Sequence, residues 1–270
     1  MNIYELYLDN KSKAEIIQKR ALIKEKCEKL WYLIALSNAN PAEVINNKEN
    51  EEILTLQYTG LVKYKNYKMA LKYPQYSYFV EDLSYLFDSV PLETIDASLL
   101  DTSNVKDMSY TFLNNSSLRE IKGLEYWDTS KVLRAAEMFS HCKQLEKVDI
   151  SNFDLRNCRS IDGFFARCES LKEIKGLENL GHTKEIWLKF LFLDCSSLER
   201  LDLSNWDVTN ITEIHCIFRN CKRLKKIKFT GWNLKNIEQI FYMFDGCPVL
   251  SLEDCTDERL NECFESRDKE

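Results

Sequence analysis

The chain has 270 residues, 44% of them hydrophobic and 12% aromatic, with a formal net charge of −6 and a sequence pI near 5.4. This is enough apolar material for a sizeable core and excludes a disordered polypeptide, while the acidic balance argues against free DNA or RNA as the main ligand. No basic-then-apolar leader opens the sequence and no run of about 18 apolar residues occurs, so the reading is a cytoplasmic protein, of a microbe or of its host, that spans no membrane and keeps its ten cysteines as free thiols.

Residues 1–80 differ in composition from the rest of the chain. In 13-KAEIIQKRALIKEKCEKLWYLIALSN-38 the apolar positions fall largely at helical spacing, and Asn-Ala-Asn-Pro at 38–41 ends the pattern, which predicts one amphipathic helix. The segment 53–79 is rich in tyrosine and ambiguous between helix and strand. A solenoid needs an atypical element at its end, so a helical cap is the first expectation for 1–80. The second is a contact surface in which Tyr64, Tyr67 and Lys68 present rigid aromatic area beside positive charge.

From residue 81 the chain repeats. Anchoring on the aromatic of F-x-x-C gives Phe87, Phe112, Phe139, Phe165, Phe192, Phe218 and Phe244, at spacings of 25, 27, 26, 27, 26 and 26 residues. Three residues after the anchors come Val90, Asn115, Cys142, Cys168, Cys195, Cys221 and Cys247. The two 27-residue units share an insertion, Ile-Lys-Gly-Leu-Glu, at 121–125 and 174–178. Such a period implies six to seven turns of a solenoid over 81–252, followed by an acidic tail or cap at 253–270. Within each unit L-x-x-I/L-x-L alternates as a short half-buried strand, so the strands should stack into a parallel sheet. The return segment, for example 232–244, spaces Ile237, Ile240, Phe241 and Phe244 by three and four, which predicts a helical or 3-10 segment behind that sheet.

The phrases 198-LERLDLSNWDVTNITEIHCIFRNC-221, 145-LEKVDISNFDLRNC-158 and 100-LDTSNVKDMSYTF-112 resemble the units of BspA-type leucine-rich repeat proteins over about residues 83–252. The resemblance implies an α/β leucine-rich-repeat solenoid with a parallel sheet on one face. It also implies a non-catalytic role in recognition or adhesion, members being commonly secreted or surface-attached.

The cysteines recur once per turn, so they form a ladder with about 5 Å between rungs rather than a converging cluster. Zinc needs four converging ligands, usually in C-x₂₋₄-C knuckles, whereas the tightest cysteine spacings are four (Cys216, Cys221) and seven (Cys255, Cys263) intervening residues, without paired histidines. Asn115 and Val90 in the cysteine column favour small buried residues over thiol chemistry. The pairs His141-Cys142 and His215-Cys216 are sequence neighbours whose side chains point apart, a poor thiolate–imidazole geometry. With no glycine-rich phosphate loop among seven glycines, neither an enzyme nor a cofactor is expected.

The outward strand positions alternate in sign. The column after the repeat leucine reads Arg119, Glu146, Lys172, Glu199, Lys225. The next reads Glu120, Lys147, Glu173, Arg200, Lys226, and the third Lys122, Asp149, Lys175, Asp202, Lys228. Stacked in register these predict a salt-bridge ladder in which nearly every charge faces an opposite one, and the same charged, concave face can also serve as a recognition surface. The alternation breaks at Lys222, Arg223, Lys225, Lys226 and Lys228, with Trp232 close behind. That cluster is the sharpest electrostatic feature, suited to an acidic protein surface or local contact with RNA, or else a solvated edge balanced by the acidic tail. The expected function is a protein-binding inhibitor, effector or adaptor acting on a larger protein. A nucleic-acid-handling defence enzyme in host–parasite conflict, in a nucleoprotein complex, is one such target. An adhesin exported by a non-standard route is the alternative.

Overall fold

A computed structural model describes residues 81–253, apart from Glu185 and Asn205, and residues 258–266. The helix expected near the N-terminus, and Tyr64, Tyr67 and Lys68, lie outside the described residues. In chain order the strands are β1 (Thr94–Asp96), β2 (Glu120–Lys122), β3 (Lys147–Asp149), β4 (Glu173–Lys175), β5 (Trp187–Lys189), β6 (Arg200–Asp202), β7 (Glu213–His215), β8 (Lys226–Lys228), β9 (Gln239–Phe241) and β10 (Ser251–Glu253). One α-helix, α1 (Glu258–Ser266), closes the described chain. All pairings are parallel, and the coils stack in register so that residues about 26 apart lie side by side.

The strands fall on two faces. The front carries β1–β2, β3–β4 and β6–β8–β10, the L-x-L strands expected from the alternation. The back carries β5–β7–β9, continued toward the N-terminus by isolated parallel bridges linking Asp82, Asp107 and Arg134. Of the helical or 3-10 segment expected for the return, only short 3-10 turns such as Leu234–Asn236 are present, and most of the segment forms a second β-ladder.

Backbone handedness explains why the three-and-four spacing makes no α-helix. Two residues before each phenylalanine anchor stand Tyr85, Tyr110, Glu137, Gly163, Phe190, Cys216 and Tyr242, and two after stand Ser89, Asn114, His141, Arg167, Asp194, Asn220 and Gly246, all with φ between 49° and 66°. A right-handed helix cannot accommodate a left-handed residue every four positions. Two such kinks instead fold the chain around each anchor and turn it inward.

The anchors form the spine of the core. Phe87, Phe112, Phe139, Phe165, Phe192, Phe218 and Phe244 stack ring on ring at 5.1, 5.3, 5.5, 6.0, 5.8 and 6.0 Å. All are fully buried. Beside them runs the cysteine ladder, and each thiol donates to the carbonyl of the preceding anchor. Cys142 bonds Phe112 O, Cys168 Phe139 O, Cys195 Phe165 O, Cys221 Phe192 O and Cys247 Phe218 O, all at 3.0–3.1 Å. Asn115, in the same column, donates through Nδ2 to Phe87 O at 2.6 Å and accepts from Val90 N at 2.8 Å. The column therefore calls for a compact donor as well as for small size.

The back ladder runs coil to coil without interruption, whereas the front ladder breaks after β2 and after β4. Both breaks come just after the coils with the inserted Ile-Lys-Gly-Leu-Glu. There Gly123 (φ 91°) and Gly176 (φ 76°) turn so tightly against the preceding coil that a Cβ would lie 2.2 Å from Ser98 Cα or 2.4 Å from Ser151 N. Gly231, at φ 89°, has its nearest neighbour at 3.4 Å.

Stability should respond to this packing at two kinds of position. Gly123→Ala adds a backbone collision to left-handed strain and should cost clearly more than the roughly 1–2 kcal/mol of strain alone expected for Gly231→Ala, as read from urea midpoints. Cys195→Ala removes the cross-coil donor to the buried Phe165 carbonyl, which keeps its bond from Cys168 N at 3.2 Å, and opens a small void, a loss of about 1–2 kcal/mol in the same measurement.

Candidate functional site

The front face holds the charge columns, and its ion pairs follow the breaks in the sheet. Lys172 bonds Glu146 at 2.8 Å, Lys147 approaches Glu173 at 3.2 Å and Lys175 approaches Asp149 at 3.9 Å, all between β3 and β4 or their leading residues. Arg119 meets Glu93 at 3.7 Å beside β1 and β2. Lys225 and Lys228 meet Glu199 and Asp202 at 2.9 and 3.4 Å between β6 and β8. Among the described residues no ion pair joins the column residues of β2 to those of β3, or of β4 to β6. The continuous ladder expected from alternation is thus a set of pairs, made only where backbone pairing holds two coils in register. A cleft of about 520 Å³ opens at the first break, lined by Arg119, Ile121, Gln144, Glu146, Lys147 and Val148 among others.

The ion pairs leave their mark on the carboxylates. Glu146 and Glu199 are held below the usual range, chiefly by hydrogen bonds from Lys172 and Lys225. Asp149 and Asp202 are lowered first by the hydroxyls of Ser151 and Ser204 and only then by lysines. Both groups are solvent-exposed, so these pairs steer register more than they add stability.

The basic cluster is less open than its sequence suggests. Arg223 and Lys225 both grip Glu199, at 2.6 and 2.9 Å, and Lys228 is paired with Asp202. Lys226 lies in backbone register with Arg200 on one side and Ser251 on the other. Lys222 is exposed at the turn before them. Trp232, expected as a contact residue, is corrected to a core residue. It is 9% exposed, its Nε1 donates to Leu203 O at 2.8 Å, and its ring stacks on Trp206 at 6.3 Å. The physical reason is its place just after the turn at Gly231, where the chain re-enters the core as it does at Trp127 and Trp206.

The thiols and histidines are absorbed by the scaffold. Burial raises Cys142, Cys195 and Cys221 well above an ordinary thiol and pushes Cys168 up to about 12. His141 lies against Ser140 Oγ at 3.0 Å and Arg167 at 2.8 Å, and His215 lies against Glu213 at 2.9 Å and the Phe241 ring at 4.8 Å. Neither imidazole faces a thiolate. Among the described residues no cluster of three or more His, Cys, Asp or Glu is arranged to hold a metal, and no helix is long and apolar enough to cross a membrane.

Sequence reasoning missed the back face of the last coils. Ile186, Trp187, Phe190, Phe241 and Tyr242 are 48, 40, 43, 38 and 48% exposed there. Lys189 places its ammonium 3.9 Å from the Trp187 ring, and Arg219 lies 5.5 Å from that of Tyr242. In a regular strand Phe190 and Tyr242, two residues before an anchor, would share its buried face. Left-handed φ values of 57° and 49° turn them to solvent instead. A large aromatic two before F-x-x-C, where Glu137 and Gly163 stand in other coils, was the available signal.

The environment of His141 sets a pH response. Burial and Arg167, assisted by Lys143, depress its pKa below 6.5, against the opposing pull of Glu137 and Asp194. A histidine depressed in the fold stays neutral while the unfolded chain takes up a proton. Stability is therefore unaffected above the ordinary imidazole range and falls as pH drops below 6.5. His141→Asn, which suits a left-handed position, should flatten this mild-acid decline in melting temperature.

A family model described as a Mycoplasma protein of unknown function, DUF285, matches residues 81–186 and 182–254. These are nearly the residues that resemble BspA-type repeats. Among solved structures, a leucine-rich repeat protein from Bacteroides ovatus is similar, at 19% identity over 63% of this chain and 57% of that one, with a TM-score of 0.26. No curated protein matches. With its matches running through the whole solenoid, the chain belongs to the DUF285 family.

Proposed function

We propose that this solenoid is a non-catalytic protein-binding module, an inhibitor, effector or adaptor that engages a larger protein through its C-terminal coils. The observation that carries the reading is the exposed aromatic group Trp187, Phe190, Phe241 and Tyr242, placed beside Lys189 and Arg219 on a β-ladder. Aromatic side chains with nearby cations are the residues most often responsible for binding energy at protein interfaces. Rigid rungs about 4.8 Å apart hold them at fixed spacing, which limits the entropy lost on docking.

The rest of the molecule is consistent with this role. The cysteines of the anchor column are buried donors, His141 and His215 are engaged with neighbours, and most front-face charges are paired within the sheet. Lys222 and the paired cations around Glu199 form a second, weaker contact region, the one suited to local RNA in a nucleoprotein complex. A cytoplasmic setting fits a solenoid whose buried cysteines are all free thiols.

The test is affinity capture from native cells with wild-type protein and two variants, followed by measurement of affinity for the captured partner. Trp187→Ala with Phe190→Ala and Tyr242→Ala should weaken binding at least about 30-fold, the loss of one or more hot spots. Lys222→Glu should change binding only modestly and mainly at low salt. Retained affinity in the aromatic triple variant would sink the proposal.

A further inference from the structure

The back ladder ends at β9, and its last strand is left with one open edge. On each earlier coil the amides two residues before the anchor and at the anchor donate to the next coil. Phe190 N bonds His215 O at 2.9 Å and Cys216 N bonds Phe241 O at 2.8 Å, while Phe192 N bonds Ile217 O and Phe218 N bonds Met243 O at 2.9 and 3.1 Å. The matching amides of the last coil, Tyr242 and Phe244, reach no acceptor among the described residues. One coil further on, the described chain is α1, and among the described residues no strand pairs with the outer edge of β9. Arg259 of α1 donates to Leu234 O and Ile237 O, and Phe264 packs edge-on against Phe244 at 6.0 Å. The helix thus grips the last coil on both sides of β9 and forms no backbone bond to β9 itself.

The inward column shows the same missing rung. Leu188 and Ile214 are 3% and 0% exposed, whereas Ile240, the next in line, is only partly buried. The edge is also chemically bare, since Gln239-Ile240-Phe241-Tyr242-Met243-Phe244 carries no charge. Natural sheets usually blunt such an edge with lysine, proline or a bulge.

Resting on the reading of this chain as a protein-binding module, we propose that the β9 edge is a strand-addition site for an extended segment of another protein. The earlier rungs of this ladder show what such an edge receives, an extended segment with an apolar residue in line with Leu188, Ile214 and Ile240. Main-chain hydrogen bonds to Tyr242 and Phe244 supply affinity, and the apolar residue over Ile240 supplies selectivity. Charge sets the flanks. Glu238 and Asp245 bracket the strand, so a segment with basic ends and an uncharged centre fits, and an acidic one is repelled. The same pair disfavours a second copy as occupant, because antiparallel β9–β9 pairing brings the Glu238 end of one chain beside the Asp245 end of the other.

The probe is a fluorescein-labelled peptide, KTITITFK, titrated into the full chain by fluorescence anisotropy, with amide hydrogen exchange followed by NMR in parallel. Saturable binding, slowed exchange at Tyr242 and Phe244, and at least tenfold weaker binding to Ile240→Lys are expected. The proline-interrupted peptide KTPTITPK should not bind. Exchange at Tyr242 and Phe244 unchanged by saturating KTITITFK overturns the proposal whether or not Ile240→Lys folds. So does equal affinity in a folded Ile240→Lys variant, or a wild-type dimer that Ile240→Lys dissociates. If the native partner is lost in the aromatic triple variant while these amides stay unprotected, the binding-module reading survives and the strand-addition site does not.

Discussion

The stack of phenylalanine anchors, each bonded through its carbonyl to the next coil, is the constraint on which everything else rests. An anchor ring must lie flat on the one below at 5–6 Å, and its carbonyl must find a donor three residues past the next anchor. At most rungs that carbonyl already accepts the amide three residues on in its own coil, and the donor from the next coil fills its second acceptor site, which favours a compact donor at the position after the anchor. Cysteine satisfies it because a thiol is compact, largely apolar and still a weak donor. Asn115 does the same at the one rung where an amide fits, and its second bond to Val90 N secures the first coil.

Holding the anchors inward has a conformational cost that the fold turns to use. Two left-handed residues flank each anchor, most of them not glycine, and each such residue is strained by roughly 1–2 kcal/mol. That strain recurs along the solenoid and is sustained by the ring stack and the uninterrupted back ladder. Its by-product, where a large side chain stands two residues before an anchor as at Tyr85, Phe190 and Tyr242, is that this side chain turns outward. In coils that place tyrosine or phenylalanine there, the scaffold displays aromatic area it would otherwise bury.

The two faces consequently do different work. The back is hydrogen-bonded throughout and rigid, and it carries the aromatic group and the open β9 edge. The front is divided into blocks by the glycine turns at Gly123 and Gly176, and its ion pairs form only inside the blocks. Because Arg223, Lys225 and Lys228 take the carboxylates Glu199 and Asp202 of the preceding coil, the lysine-rich rung presents less free charge than its composition implies. The exposed aromatic group lies on the other side.

The period, the anchor column, the buried cysteine column and the parallel pairing of L-x-L strands were all legible in the residues, because each depends on burial at a fixed interval along the chain. So was the alternation of charge. Three features were not. The return segment reads as helical by spacing, and only the left-handed backbone at positions such as Glu137 and Tyr242 makes it a ladder, since φ leaves no trace in hydrophobic periodicity. Trp232 reads as a surface aromatic beside lysines, and only the packing of one coil on the next buries it against Trp206. The charge columns read as continuous, and only the backbone breaks after β2 and β4 decide which opposite charges meet. Apolar spacing alone determined what lies inside this protein, whereas what it shows to a partner was decided by chain direction and coil-to-coil register, which exist only once the coils are stacked.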